Sequence, residues 1–425
     1  MNMTFQRRIL TLLVVFLATS CASAPDPLPA SVPQAVPTLT PFQPVIEPAV
    51  LLVDPAAVPA EPTYTPLPRQ NTAIENIPTP VLVDPSSSGA AADFSLMNIN
   101  NPLTGLPVND PSLLNRRPMV IKVANAPDTI RPQSGLTLAD VVYEYYIEWG
   151  DTRFIAVMYG NDSPMVGPVR SGRYFDEHIA RMYNAFLVFK FADPREYSYL
   201  QNSTLNEFLV VPGGSGCPPF VFGPDKKRDD YNNFFFDTPE WAACAASKGL
   251  DNSPQVIRGG FFSDEAMETS TTATHIFSYY SRQSYNYWEY DVITHKYFRF
   301  QEANDMLNGK PEAYAPLSDA QTGLPVNAEN IVVIFVPHIF ANQFDAKDEV
   351  YHIDLIDSGN AFVFRDGFVT PAKWERTDVN QPLLLTNLDG SPIYLRPGRT
   401  FYEVMGFTST YTQDGNDWHF KFETP

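Results

Sequence analysis

Leu138-Ala139-Asp140-Val141-Val142-Tyr143-Glu144-Tyr145-Tyr146-Ile147, then Glu148-Trp149-Gly150-Asp151, then Thr152-Arg153-Phe154-Ile155-Ala156-Val157-Met158-Tyr159 form one continuous stretch. Its two outer segments are rich in Val, Ile, Tyr and Phe, which suit a pleated and half-buried backbone. The middle four residues include Gly and Asp, as tight turns do. The stretch predicts a β-hairpin with strands over 138–147 and 152–159. Side chains alternate along a strand, so Glu144, Tyr146 and Glu148 share one face, and Tyr143, Tyr145 and Ile147 the other.

On the N-terminal side, residues 119–123 read as a short apolar strand that contains Lys122. Pro127, Pro132 and Gly135 break the chain between that strand and the hairpin. On the C-terminal side, a loop over 160–169 leads to Ser171, placed as the N-cap of a helix to about residue 182, with Asp176 and Glu177 near its start. A strand follows over 185–191. Residues 212–237 read as irregular, and Thr238 opens a short helix with Pro239 in its first turn. From 273 to 300 aromatic and polar residues alternate, as in antiparallel strands. Residues 330–336 are an almost wholly apolar strand, and three more follow over 351–357, 360–365 and 367–374. The fold class is α+β: a mixed β-sheet domain with helices over 96–270, then a mainly antiparallel β domain over 271–425. One hexapeptide, Thr104-Gly105-Leu106-Pro107-Val108-Asn109, recurs as Thr322-Gly323-Leu324-Pro325-Val326-Asn327. The flanks do not align, so the repeat reads as a reused turn, or chance, rather than a duplicated domain.

Further out, the N-terminus reads as a signal. Arg7 and Arg8 precede ten apolar residues, too few to span a bilayer, and small residues lead into Cys21. Lipidation of Cys21 would make a membrane anchor of residues 21–95, a Pro-rich tether, after a signal peptide over 1–20. An ordinary secretory signal cut near Ala24 is the other reading. Residues 25–90 hold sixteen of the forty prolines and little that could build a core. Without residues 1–20, 27 basic side chains face 48 acidic ones, a net charge of −21. That balance excludes nucleic acid as a partner. An extracytoplasmic location permits a disulfide between Cys217 and Cys244, with two buried free thiols as the alternative.

Chemistry concentrates around the hairpin. Arg153 lies just past the turn, and Gly167-Pro168-Val169-Arg170-Ser171-Gly172-Arg173 sets two arginines about a helix start. Such a place can hold an anion or a carboxylate. Arg131, Glu144, Arg153, Arg170, Ser171 and Arg173 are therefore the candidate ligand-binding residues. The structural alternative is that these arginines neutralise Glu144 or Glu148 inside the fold. A cell-wall polymer hydrolase with Glu144 as catalytic carboxylate is the second functional reading. Glu148 cannot be its partner, because four residues along a strand separate them by roughly 13 Å, more than a glycosidase pair allows. A subunit of an envelope assembly is a third, and it predicts an exposed apolar patch in the C-terminal half. No cofactor or metal is expected: the six histidines lack ligand spacing. Tyr279, Tyr280, Tyr285, Tyr287, Trp288 and Tyr290 are sugar-stacking candidates or, equally in keeping with strands, core.

Asn101-Pro102-Leu103-Thr104-Gly105, Arg117-Pro118, Asn125, Arg131-Pro132-Gln133-Ser134-Gly135-Leu136, Glu144, Thr152-Arg153-Phe154 and Gly167-Pro168-Val169-Arg170-Ser171-x-Arg173 together resemble the YerB-like lipoproteins. Asn330-Ile331-Val332-Val333, Asp366-Gly367, Trp374 and Leu395-x-Pro397-Gly398 fit the family's C-terminal domain. The resemblance covers most of 99–405. It implies a lipoprotein with a low-complexity linker and two domains, and it assigns no activity. One departure stands out: relatives often carry Pro-His-Asn where this chain has Asp230-Tyr231-Asn232-Asn233. The leading reading is a non-enzymatic binding or scaffolding lipoprotein of the cell envelope, with a cell-wall fragment or an envelope protein as partner.

Overall fold

The computed structural model describes residues 99–213, 216–267, 271–342, 345 and 347–425. The signal peptide, Cys21, the Pro-rich tether and Ser215 lie outside the described residues.

The hairpin is present as strands Val141–Tyr146 and Thr152–Met158, and it sits near the middle of a ten-stranded mixed sheet. On one side Thr152–Met158 pairs antiparallel with Met119–Ala124, which pairs parallel with Phe186–Val188. On the other side Val141–Tyr146 pairs parallel with Thr400–Gly406, and that strand pairs parallel with Asn330–Val336. Asn330–Val336 and Thr400–Gly406 are buried at all seven positions each, the pattern of strands covered on both faces. The α+β class therefore holds, but the strand partition differs from a mixed sheet followed by an antiparallel one. The central sheet takes strands from both sides of residue 270, because Thr400–Gly406 needs a neighbour at each edge.

A second sheet runs Tyr314–Pro316, Lys296–Glu302, Tyr285–Asp291, His275–Tyr279, Asp417–Lys421 and Thr410–Asp414, with Asn327–Ala328 pairing off this path. Its Trp288 ring lies 4.7 Å from Phe401, so it covers the central-sheet face that carries Glu144 and Glu403. The opposite face carries Tyr143 and Tyr145 and is covered by helix α1, Tyr174–Met182. Helix α1 begins two residues later than expected. Arg173, not Ser171, is its cap: the Asp176 carboxylate accepts from the Arg173 backbone N–H at 2.7 Å. Helix α2, Pro194–Asn202, falls in a stretch that no periodicity marked. Its N-terminal signal was legible, since Asp193 caps it by accepting from Arg195 N–H and Pro194 opens it. Helix α3 spans Thr238–Ser247. The irregular 212–237 region contains a short aromatic hairpin, Phe220–Phe222 with Phe234–Phe236.

The hexapeptide repeat builds the same turn twice. Asn101 N–H donates to Leu106 O and Asp319 N–H to Leu324 O; Gly105 N–H donates to Asn101 O and Gly323 N–H to Asp319 O. Gly105 and Gly323 sit at φ +68° and +70°, which glycine adopts without a Cβ clash. The residue three before each Thr sets the turn: Asn101 Oδ1 accepts from Leu103 N–H at 2.9 Å, and Asp319 Oδ1 from Gln321 N–H at 2.7 Å. A reused turn is the correct description, and Asp319 also accepts from Gly135 and Thr137 N–H to tie the two halves together.

Candidate functional site

Alternation along Val141–Tyr146 separates two clusters of charge. On the face toward the second sheet, Glu144 is fully buried and its Oε2 accepts from Arg299 Nη2 at 2.5 Å. Its Oε1 accepts from Asn125 and Thr152. Arg299 also donates to Glu403 at 3.0 Å, and Glu403 accepts from Trp288 Nε1 at 2.8 Å. The Tyr280 hydroxyl lies 2.9 Å from Glu403 Oε2 and 3.3 Å from the Glu144 backbone oxygen. One guanidinium thus faces two carboxylates in a dry interior. Burial first, and then the Glu144 charge, push Glu403 up to about 7. Glu403 is therefore protonated more readily than an ordinary carboxyl, which eases the burial of two acids beside one guanidinium. No substrate can reach Glu144, and its nearest charged partner is an arginine. The hydrolase reading is overturned here, because a catalytic carboxylate must touch the bond it breaks.

On the other face, about the start of α1, lie Lys122, Arg153, Arg170 and Arg173. Two are paired. Lys122 donates to Asp176 at 2.8 Å, both fully buried. Arg173 pairs with Glu148 through both Nε and Nη2 and lies 3.5 Å from Glu196. Arg153 meets Asp151, at 3.8 Å, and the Thr152 carbonyl. Arg170 has no carboxylate within ion-pair distance among the described residues. It is 4% exposed, and its Nε has no hydrogen-bond partner among the described residues. Its Nη2 donates to Asn232 Oδ1 and to the Ala126 carbonyl, and its guanidinium stacks 4.2 Å from the Tyr231 ring centre. Burial, then repulsion from Arg153, lower Arg170 to about 10. Burial lowers Arg153 too. Both stay cationic at neutral pH.

The sequence-predicted residues thus divide. Arg153 and Arg170 come together, and Ser171 borders them with its hydroxyl 3.4 Å from that of Tyr231. Arg131 is drawn away to Glu302 and the Asn125 carbonyl. Glu144 faces the opposite side of the sheet. Tyr231, Asn232 and Lys190, whose Nζ lies 4.9 Å from the Tyr231 ring, complete the niche. Glu196 was not legible either: it is 1% exposed, neither carboxylate oxygen has a hydrogen bond, and burial raises it to about 7. Cys217 and Cys244 are joined, with Cα atoms 5.5 Å apart.

Residues 103–251 match the family model described as "Protein of unknown function (DUF3048) N-terminal domain", and residues 276–402 match its C-terminal counterpart. The chain belongs to this YerB-like family. It is 25% identical over 305 residues to "Putative lipoprotein YerB" of Bacillus subtilis, covering 72% of this chain and 85% of that one. The crystal structure of the YerB protein from Bacillus subtilis is similar at a TM-score of 0.58, with 23% identity over 72% of this chain and 96% of that chain; this likeness concerns the fold. The two family domains fall on either side of residue 270, yet their strands interleave in the central sheet. Tyr231 and Asn232, from the loop before the aromatic hairpin's second strand, are the residues that lie against Arg170.

Proposed function

We propose that this protein is an envelope lipoprotein, anchored through Cys21, whose folded part binds an anionic or carboxylate-bearing ligand at Arg153 and Arg170. The ligand is a cell-wall fragment or a partner chain, and no chemistry is performed on it. One observation carries the reading. Arg170 is buried, lacks an ion pair among the described residues, and leaves Nε without a partner, whereas buried charges are normally paired and fully hydrogen-bonded. A carboxylate seated between the two guanidinium groups would supply both needs. Tyr231 and Asn232 would position it. On a chain of such acidity, a cationic niche attracts anions only at short range, which favours a ligand with neutral parts that the rest of the surface does not repel.

The relative's description as a lipoprotein supports the anchor, and mass spectrometry of the mature N-terminus tests it: a diacylated Cys21 is expected. Calorimetric titration with a muropeptide tests the niche. The free-carboxylate form should bind and its fully amidated form should not. Equal binding of the two forms, or none of either, would sink the assignment.

A further inference from the structure

The outer face of the second sheet carries rings where solvent-facing positions are usually polar. Strand register places His419, Phe277, Tyr287 and Phe300 in one cross-strand row. Their planes stack in sequence: His419 on Phe277 at 4.5 Å and 8°, Phe277 on Tyr287 at 5.1 Å and 26°, Tyr287 on Phe300 at 4.6 Å and 6°. Both faces of Tyr287 are therefore occupied. Tyr314 meets Tyr287 at 4.9 Å and 89°, so it can touch only the Tyr287 edge, and it does so with its own face. The same holds against Tyr285, at 5.2 Å and 89°. Tyr314 lies flat across the row. It borders a cavity of about 480 Å³ that Phe277, Tyr279, Thr410, Thr412, Glu312 and His419 also line, a size within the range of small-ligand sites.

The polar groups of this cavity say what it takes. The Tyr314 hydroxyl donates to Glu312 at 2.5 Å, and Lys421 pairs with Glu423 at 2.5 Å. The rim cation Lys421 is already paired, so an anionic ligand gains little. What remains is an aromatic face, the free lone pairs of a carboxylate, and two exposed hydroxyls from Thr410 and Thr412. A peptide side chain would use the ring but not a row of hydroxyl groups beside it. A sugar ring uses both: its C–H bonds lie on the negative face of an aromatic ring, and its hydroxyls both donate and accept.

We propose that this groove is a saccharide-binding site, which takes a neutral oligosaccharide by stacking one pyranose ring on Tyr314 with Glu312 as acceptor. It is separate from the arginine niche and does not depend on it. Titration of the mature protein with triacetylchitotriose and with cellotriose, by calorimetry, tests it. At least one should bind saturably. Tyr314→Ala should raise Kd at least about tenfold, with the melting temperature unchanged within about 2 °C. Tyr314→Phe, which keeps the ring face and loses only the bond to Glu312, should stay within about threefold of wild type. Absence of saturable binding of both sugars, or wild-type affinity in Tyr314→Ala, overturns the proposal. So does a dimer in sedimentation that Tyr314→Ala dissolves, because the face would then be covered by a second copy.

Discussion

Glu144 and Arg153 come from one hairpin and lie one register step apart, since Arg153 pairs with Tyr145, yet they end in opposite kinds of site. On the Glu144 side every charge is answered: Arg299 serves two carboxylates, and Asn125, Thr152, Trp288 and Tyr280 take the remaining lone pairs. On the Arg153 side, two cations are answered by Asp176 and by the Glu148–Glu196 pair, while Arg153 has one long contact to Asp151 at 3.8 Å and Arg170 has carbonyl, amide and ring partners. Charge type does not separate the two sides; partner count does. A buried charge with every partner in place holds a fold together, and one without them waits for something from outside.

The largest effect should come from breaking the complete side. Arg299→Ala strands two buried carboxylates, and loss of one member of such a cluster costs about 3–5 kcal/mol. Urea unfolding should show it, and a loss under about 1 kcal/mol would mean that the triad is better solvated than its burial indicates. Next comes the disulfide, which ties the start of the loop bearing Tyr231 and Asn232 to α3. With the cysteines 27 positions apart, replacing both by Ser should cost about 3.5 kcal/mol, read from the same denaturation.

A smaller effect concerns pH. Glu403 has its folded value near 7 against an ordinary 4.5. Between those values the folded chain holds a proton that the unfolded chain has released, so this group lowers stability as pH rises through that window. Glu196 and Asp140, raised to about 7 and about 6, act with the same sign. His178 and His338, lowered to about 3 and about 4, act with the opposite sign below 6.5. The difference between wild type and Glu403→Gln isolates the one group: wild type should lose stability relative to the variant from pH 4.5 to 7. A parallel pair of curves would contradict a protonated Glu403. The smallest effect should be Arg170→Gln, with a stability change under about 1 kcal/mol in either direction, because no ion pair is broken. A loss as large as that of Arg299→Ala would turn Arg170 into a structural residue.

The hairpin and the two faces of its strands could be read from alternation, since period two is local; Glu148, beyond the strand end at Tyr146, turns instead to Arg173 on the face opposite Glu144. The arginines around the start of α1 were legible for the same reason, and so was the repeated Thr-Gly-Leu-Pro-Val-Asn turn. What could not be read was which arginine is already paired. Arg299 lies 155 residues from Glu144, and Glu302 lies 171 from Arg131. Such pairings follow from strand order, set by burial of Thr400–Gly406 between two parallel neighbours, and nothing near Arg131 or Glu144 encodes it. The aromatic strands show the same limit. Tyr280 and Trp288 turn inward to Glu403, and Tyr279 and Tyr287 turn outward, although their composition is alike.

The central claim is that the two sides of the hairpin differ in readiness to bind. Arginine Nε–H resonances report it directly by ¹⁵N–¹H NMR as the free-carboxylate muropeptide is added. The Arg170 Nε–H, unpartnered in the free protein, should move progressively and saturate, while that of Arg299, already bonded to Gln301, should stay in place. An Arg170 signal that does not move at saturating ligand, or an Arg299 signal that moves in its stead, would contradict the account.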